Sequence, residues 1–271
     1  MKGVVKDKMD ALILCLTAFW FFYFGAAMGS FYNVLVHRLP HEKAVVRSRS
    51  ECEFCHKRLK WPDLIPLFSF LFLKRRCRYC GKKLPYQYLI SELAVGALFL
   101  LAFLMHGRYL EYSLALSCMV LWSMLFVVGV MDYKYGIIID QILLVFSAIG
   151  IVVNLIGKTP VMDIIFGGAV GFGFYGAIYL LARLFYKKEG FGMGDVLLLA
   201  GIGTFLGPVS TLVTGFLAFY CCILFLLFQM KNRRIERKME VPFAPSVCAA
   251  AFFVSVFGEQ IMNFFRNWLG V

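Results

Sequence analysis

Apolar segments close to the ~20 residues that an α-helix needs to cross a bilayer recur along nearly the whole chain. Of the 271 residues, 61% are apolar and 16% are charged, whereas soluble domains average roughly 45–50% and about 25%. Helices of this kind pack on one another in lipid and satisfy their backbone polar groups internally. The sequence therefore predicts an all-α polytopic membrane protein with about eight transmembrane helices. We place them at residues 12–36, 89–105, 114–131, 137–156, 161–182, 196–210, 211–229 and 246–265.

The net charge of +12 follows the predicted topology. With these spans, 22 of the 28 Lys and Arg residues fall on the side of the membrane that holds residues 37–88. Cytoplasmic loops carry an excess of Lys and Arg, so this loop is predicted to be cytoplasmic and both termini to lie outside. A basic protein can also bind nucleic acid. The uneven distribution of charge between the two sides instead indicates membrane topology, and we expect no nucleic-acid partner.

The first span shares two features with a cleaved signal peptide, namely preceding lysines and the small residues Gly25-Ala26-Ala27. It stays apolar to Val36, beyond the roughly 7–15 residues of a signal-peptide core. Its strongest positive flank is also C-terminal. We therefore predict a retained helix with its N-terminus outside.

The only sizeable polar stretch carries two cysteine pairs, each with two residues between its members: Cys52, Cys55, Cys77 and Cys80. Two such pairs suit a tetrahedral zinc ion, because each pair binds one edge and four thiolates close the site. Basic neighbours favour the thiolate form. Unligated or redox-active thiols are the alternative, and a reducing compartment disfavours disulfides. We predict a structural zinc in a cytoplasmic loop between helices 1 and 2.

Two aspartates lie at the cytoplasmic ends of predicted helices. Asp132 follows the third span, and Asp195 closes the segment GFGMGD at the start of the sixth. Two carboxylates that share a site do not both ionise, so one can activate water while its protonated partner polarises a carbonyl. This pair predicts an aspartic peptidase site. The alternative is that each acid caps a helix or lies among the lipid headgroups.

Three other acids lie near the predicted spans. We expect Glu92 and Asp140 to be buried and to support the structure rather than react, since ionisable groups inside spans are costly. Asp163 is expected to be solvated or to cap the fifth span.

A series of short motifs extends over most of the chain. In order, they are residues 29–34 (GSFYNV), 37–40 (HRLP), 49–50 (RS), 63–66 (DLIP), 88–92 (YLISE), 132–140 (DYKYGIIID), 189–195 (EGFGMGD) and 241–245 (VPFAP). In this order and spacing the chain resembles the bifunctional type IV prepilin peptidases, which are GxGD-type membrane aspartic peptidases. Ile139 replaces a usual Pro and Leu197 a usual Lys, while Phe191 and Ala244 are milder departures. None of the four affects an acid or a cysteine.

The resemblance implies an enzyme of the bacterial cytoplasmic membrane. It would cleave the leader of prepilins or pseudopilins after Gly, and methylate the new N-terminal residue, commonly Phe, with S-adenosylmethionine. It implies that Asp132 and Asp195 are catalytic. It also implies a methyltransferase-associated part at residues 1–105 and a six-helix peptidase core at 106–271. Asn33 and Glu92 are our candidates for the methyl-donor site, because both are polar and face the side of the cysteine loop.

Two other interpretations remain open. An intramembrane GxGD protease that only cleaves would lack the cysteine loop. A zinc-loop transporter or assembly protein would use its acids to carry protons or ions, and transporters often contain inverted repeats that this sequence lacks. Neither the individual substrates nor the oligomeric state is indicated.

Overall fold

The computed structural model describes residues 2–45, 50–52, 54–107, 111–186, 192–231 and 242–269. Regular secondary structure in those ranges is helical, with isolated bridges but no β-strand. The α-helices there are α1 (Lys2–Arg38), α2 (Phe68–Phe72), α3 (Tyr86–Met105), α4 (Tyr112–Tyr135), α5 (Asp140–Ile156), α6 (Val161–Tyr186), α7 (Met193–Leu206), α8 (Pro208–Lys231) and α9 (Ala244–Leu269). Short 3₁₀ turns at Leu39–His41 and Trp61–Asp63 lie in the loop between α1 and α3.

Five segments are long and apolar enough to cross a membrane by length and composition. They are Ala11–His41, Tyr86–Met105, Tyr112–Tyr135, Val161–Phe185 and Pro208–Phe228. Three further helices are apolar but shorter: Asp140–Ile156, Met193–Leu206 and Ala244–Gly258. The prediction of an all-α, multi-pass membrane protein with a cysteine loop between its first two long helices is confirmed.

The predicted boundary between the sixth and seventh spans is displaced. The apolar pattern placed it after residue 210, whereas α7 ends at Leu206 and α8 begins at Pro208. Gly207 has a φ of 75°, which glycine adopts without steric penalty. Proline suits the first turn of a helix, since its missing N–H has no partner there anyway. A continuous apolar run conceals this break, because hydropathy averages over it.

The chain divides into two compact units, Met1–Ala115 and Leu116–Val271. In the first unit, α1 and α3 pack closely along one another. A Cβ atom placed at Gly25 would lie 2.8 Å from the carbonyl oxygen of Val95, and one at Gly29 would lie 2.7 Å from that of Ser91. Glycines four residues apart let two helix backbones approach this closely. The next position on the same face of α1 is Asn33, which therefore faces α3.

In the second unit, α4 is the most buried of the long helices. Of its apolar window, 67% is buried, against 22% for the corresponding windows of α6 and α8. The indole N–H of Trp122 donates to Ser255 of α9 at 2.8 Å, and the hydroxyl of Ser117 donates to Asn154 of α5 at 2.7 Å. These polar contacts fix α4 between its neighbours and hold its C-terminal acid, Asp132, inside the unit.

Helices α6 and α7 cross at glycines, which gives a stability prediction. A Cβ atom at Gly167 would overlap the carbonyl oxygen of Gly203, whereas one at Gly173, on the same helix, would meet nothing within 4 Å. We expect Gly167→Ala to destabilise the protein by about 1–3 kcal/mol through overpacking. Gly173→Ala is the matched control and should be neutral or slightly stabilising. Thermal unfolding in detergent measures both, and equal midpoints would contradict the proposed crossing.

Candidate active site and metal centre

Asp132 and Asp195 lie together inside the second unit. Asp132 is in the last turn of α4 and Asp195 in the first turn of α7, and the two residues are only 7% and 8% exposed. Their carboxylates are close enough to interact electrostatically. The thiol of Cys248, on α9, is within electrostatic range of both acids. The structure thus brings together the two residues that the sequence assigned to one site.

The two carboxylates have different hydrogen-bond partners. The backbone N–H of Ala244, the first residue of α9, donates to Oδ2 of Asp132 at 3.2 Å. The carboxylate of Asp195 accepts a hydrogen bond from the backbone of Gly192. Its Oδ1 is buried without a hydrogen-bond partner in the described part of the chain. An unsatisfied buried acceptor is unfavourable, so this oxygen is suited to bind a water molecule or a peptide group.

The last residues of the glycine-rich motif place Asp195 in the first turn of α7. Gly192 is the N-cap residue, with an extended backbone. A Cβ atom at Gly194 would lie 2.9 Å from Cβ of Ile138, so glycine permits close packing there. The earlier part of the motif, Gly190 and Phe191, lies outside the described residues.

For the three other acidic residues near the predicted spans, the structure confirms the expected burial or exposure of two but not of the third. Glu92 is buried in α3 with 7% exposure, as predicted. The prediction for Asp140 is wrong, because it is exposed at the first position of α5. Gly136, with a φ of 65°, ends the preceding helix, and α5 begins later than the apolar pattern suggested. Asp163 is exposed in the first turn of α6, as expected.

Sequence reasoning missed two contributors to this site. The sequence pattern assigns no role to Cys248, although its thiol is within electrostatic range of both acids. Ala244 was noted only as a departure from a family motif, whereas its backbone N–H holds Asp132. The available signal was the position of the VPFAP motif directly before a helix, since a helix N-terminus presents free N–H groups that favour a carboxylate.

The four loop cysteines form a cluster that fits a metal ion. The Sγ atoms of Cys52, Cys55, Cys77 and Cys80 all lie within 4.8 Å of one another, and those of Cys52 and Cys80 are 3.9 Å apart. Four sulfurs placed tetrahedrally about 2.3 Å from zinc would be separated by about 3.8 Å. All nine cysteines of the chain are free thiols. The donor set and its spacing therefore match a closed tetrahedral zinc site.

Each cysteine pair belongs to the same kind of turn. The N–H of the first cysteine donates to the carbonyl of the residue five positions later, at 3.0 Å in one turn and 2.9 Å in the other. The residue after the second cysteine has a positive φ, 53° at His56 and 68° at Gly81. These turns direct backbone N–H groups toward the sulfurs, as the Tyr79 N–H is toward Sγ of Cys77 at 3.4 Å.

Side chains of the two turns contact each other reciprocally. The ammonium of Lys57 lies 5.7 Å from the ring centre of Tyr79, and that of Lys82 lies 5.0 Å from the ring centre of Phe54. Cation–π pairs of this kind stabilise by about 0.5–1 kcal/mol at exposed sites. The pattern Cys-x-aromatic-Cys-x-Lys therefore occurs twice, and a repeat of this length was detectable in the sequence.

The thiols of the cluster differ in acidity. Hydrogen bonding from the backbone of Cys80 is the main cause that lowers the pKa of Cys77 to about 7. Burial raises the pKa of Cys52 to about 11. Metal ligands must be deprotonated, so a metal ion bound here would displace the thiol protons.

We expect one zinc ion per chain, bound by the four loop cysteines, because their geometry matches a closed tetrahedral site. Elemental analysis of protein purified without chelators measures the stoichiometry, and Cys77→Ser should lower it. Cys15→Ser is the matched control, because Cys15 is exposed on α1 and outside the cluster. Protein that contains no zinc, or equal zinc in both variants, would contradict this assignment.

The two candidates for the methyl-donor site also lie together, in the first unit. The amide of Asn33 donates a hydrogen bond to the hydroxyl of Ser91. Oε2 of Glu92 accepts the backbone N–H of Leu67 at 2.8 Å. Both residues line a cavity of about 520 Å³ formed by α1, α3 and the cysteine loop, and Cys52 and Cys77 also line it.

The sequence is similar to known proteins over most of its length. The family described as "Bacterial Peptidase A24 N-terminal domain" matches residues 23–106, and the "Type IV leader peptidase family" matches residues 119–227. The "Prepilin leader peptidase/N-methyltransferase" of Bacillus subtilis (strain 168) is 31% identical over 244 residues, which cover 90% of this chain and 96% of that protein. The protein of the same name from Klebsiella pneumoniae is 36% identical over 194 residues, covering 69% and 83%.

A third relative carries a different name. The "Type 4 prepilin-like proteins leader peptide-processing enzyme" of Escherichia coli O78:H11 (strain H10407 / ETEC) is 30% identical over 241 residues, covering 82% of this chain and 87% of that protein. No solved structure gives a significant match.

Proposed function

Because this chain belongs to the type IV leader peptidase family, we propose that it removes the leader of prepilins or pseudopilins and then methylates the new N-terminus. The observation that carries the peptidase assignment is the pair of buried acids, Asp132 and Asp195, at facing helix ends of one unit. Few residues other than catalytic ones repay the cost of burying two interacting carboxylates in a membrane protein.

The two acids perform general acid–base catalysis. The ionised carboxylate takes a proton from water as the water oxygen attacks the scissile carbonyl, and the protonated carboxyl donates a hydrogen bond to that carbonyl. The Ala244 N–H orients Asp132, and Oδ1 of Asp195, which has no partner among the described residues, is available to the water or the peptide. Either acid can begin the reaction in the protonated form.

We assign residues 1–105 to methyl transfer and residues 106–271 to the peptidase. Asn33 and Glu92 are the proposed donor-site residues, and their cavity has the size of a small-molecule site. S-adenosylmethionine, when bound, supplies a methyl group activated by a sulfonium. The residues present fit it, since the cavity offers a buried carboxylate, an amide and basic side chains. A structural zinc on the four loop cysteines would hold the cavity's outer wall.

The distribution of Lys and Arg supports a cytoplasmic position for the cysteine loop and for the ends of α4 and α7. We therefore place the enzyme in the bacterial cytoplasmic membrane, with both activities at its cytoplasmic face. A substrate with an apolar stem and a basic leader fits this arrangement, because the stem stays in lipid while the leader remains in water. The cysteine cluster argues against a peptidase-only protein.

The cleavage position tests the peptidase assignment. Membranes that contain the enzyme should convert a prepilin into a product whose N-terminus directly follows the leader's last Gly. Replacing that Gly with Val in the prepilin should strongly reduce cleavage, because a Cβ and its branches hinder approach to the paired acids. Mass spectrometry and N-terminal sequencing measure both. Cleavage elsewhere, or equal cleavage of the Val substrate, would contradict the assignment.

A further inference from the structure

The cavity of the first unit has a lining of mixed charge. Its volume of about 520 Å³ lies within the range of small-molecule sites. The polar and charged side chains that matter here are Asn33, His37, Arg38, Asp63, Arg76 and Glu92. Phe70 and Tyr88 add aromatic surface. A molecule that fits would carry both a positive and a negative group on a body that includes a flat ring.

One of the two buried acids in this cavity already has a cationic partner. Oδ1 of Asp63 lies 2.8 Å from Nε of Arg78, and the side chain of Asp63 is only 2% exposed. Oδ2 accepts the backbone N–H of Lys60 at 3.1 Å. Arg78 lies between two zinc-ligand positions, Cys77 and Cys80. The ion pair therefore ties the metal cluster to the cavity wall and neutralises Asp63.

Glu92 is the second buried acid, and its partners are hydrogen-bond donors rather than a cationic side chain. Its carboxylate accepts hydrogen bonds from the Leu67 N–H and the Ser30 side chain, but the described residues provide no ion-pair partner for it. Burying an uncompensated carboxylate is unfavourable. A bound cation would supply the missing charge.

We propose that this cavity is the methyl-donor site and that Glu92 recognises the sulfonium charge of S-adenosylmethionine, an inference that rests on the proposed methyltransferase function. Arg38 and Arg76 complement the carboxylate of the donor, and Phe70 and Tyr88 line the space for its ring. In the transfer, the amine lone pair bonds to the methyl carbon and the C–S electron pair stays on sulfur. The product is then a neutral thioether, and the ammonium proton passes to solvent.

This charge change makes the role of Glu92 measurable without catalysis. S-adenosylmethionine carries the sulfonium, whereas its product S-adenosylhomocysteine does not. Glu92→Gln removes the negative charge but keeps an oxygen that accepts the Leu67 N–H. We expect this variant to bind S-adenosylmethionine about tenfold more weakly, and S-adenosylhomocysteine less than about threefold more weakly. Calorimetric titration of the zinc-loaded, full-length enzyme measures both affinities.

Glu111→Gln is the matched control. It removes the same charge from the same unit, but Glu111 follows the far end of α3 and does not line the cavity. Both affinities should stay within about twofold of the wild type. Equal weakening of the two compounds by Glu92→Gln, or no weakening of either, overturns the proposal.

A second measurement does not depend on a folded variant. Ultraviolet crosslinking of S-adenosylmethionine to the wild-type enzyme should label peptides from residues 30–43 and 59–92. Labelling confined to residues 116–271, or no saturable binding, overturns the proposal. Intact-mass analysis of prepilin with the same preparation separates this failure from that of the proposed function. A methylated product with an unlabelled cavity refutes the site alone, whereas a labelled cavity without methylated product supports the site and refutes the methyltransferase assignment.

Discussion

Replacing Asp132 or Asp195 with Asn is expected to abolish leader cleavage, with a loss of about a thousandfold or more for either variant. Acid–base catalysis contributes about 10²–10⁴-fold, and neither carboxylate performs both roles alone. Asn is nearly isosteric with Asp and keeps an oxygen for the Ala244 N–H, so the variants should fold. Cleavage of a prepilin by membranes with matched amounts of each variant gives the result.

Asp140→Asn is the control for the two acids. Asp140 lies eight residues after Asp132 but is exposed at the start of α5, so its removal should leave cleavage near the wild-type rate. Normal processing by Asp132→Asn or Asp195→Asn would exclude that residue from the active site. A comparable loss in the Asp140 variant would show that the assay reports general damage to this region.

The second large effect is expected from the cysteine cluster. The double replacement of Cys77 and Cys80 by Ser should reduce methylation at least about tenfold more than cleavage. Metal binding couples to local folding, and Cys77 also lines the cavity of the first unit. The acids Asp132 and Asp195 belong to the second unit and stay in place. Mass spectrometry of one prepilin reaction separates uncut, cut, and cut-plus-methyl species.

Cys15→Ser serves as the control for thiol loss, because Cys15 is exposed and outside the cluster. It should leave the ratio of methylated to cut product unchanged. If the double variant methylates normally, or loses both activities in equal proportion, the two-part assignment is wrong. The loop would then stabilise the protein as a whole.

Much of the fold was predictable because apolar length alone specifies membrane helices. Each predicted span corresponds to one helix. The break at Gly207 was not predictable from hydropathy, since glycine and proline interrupt the helix without lowering the apolar average. The exposure of Asp140 was missed for a related reason, because Gly136 ends α4 and α5 begins only at Asp140.

The site was predictable where it depends on side-chain identity. The acid pair and the cysteine pairs could be recognised from residue type and spacing alone, and in the structure the members of each set lie close together. The support of Asp132 by Ala244 comes from a backbone N–H, which any residue offers at a helix N-terminus. The cavity around Glu92 depends on how the loop folds back onto α1 and α3, and no local pattern encodes that volume.

We propose that one chain cuts a prepilin and then methylates the new N-terminus. Intact-mass analysis of prepilin mixed with purified, zinc-loaded enzyme measures both steps in one reaction. Without S-adenosylmethionine, only the cut product is expected, lighter by the mass of the leader. With S-adenosylmethionine, the cut product should form first and then gain the mass of one methyl group. An uncut prepilin in both reactions, or methylation of the uncut form, would show that the chain does not perform these two steps in this order.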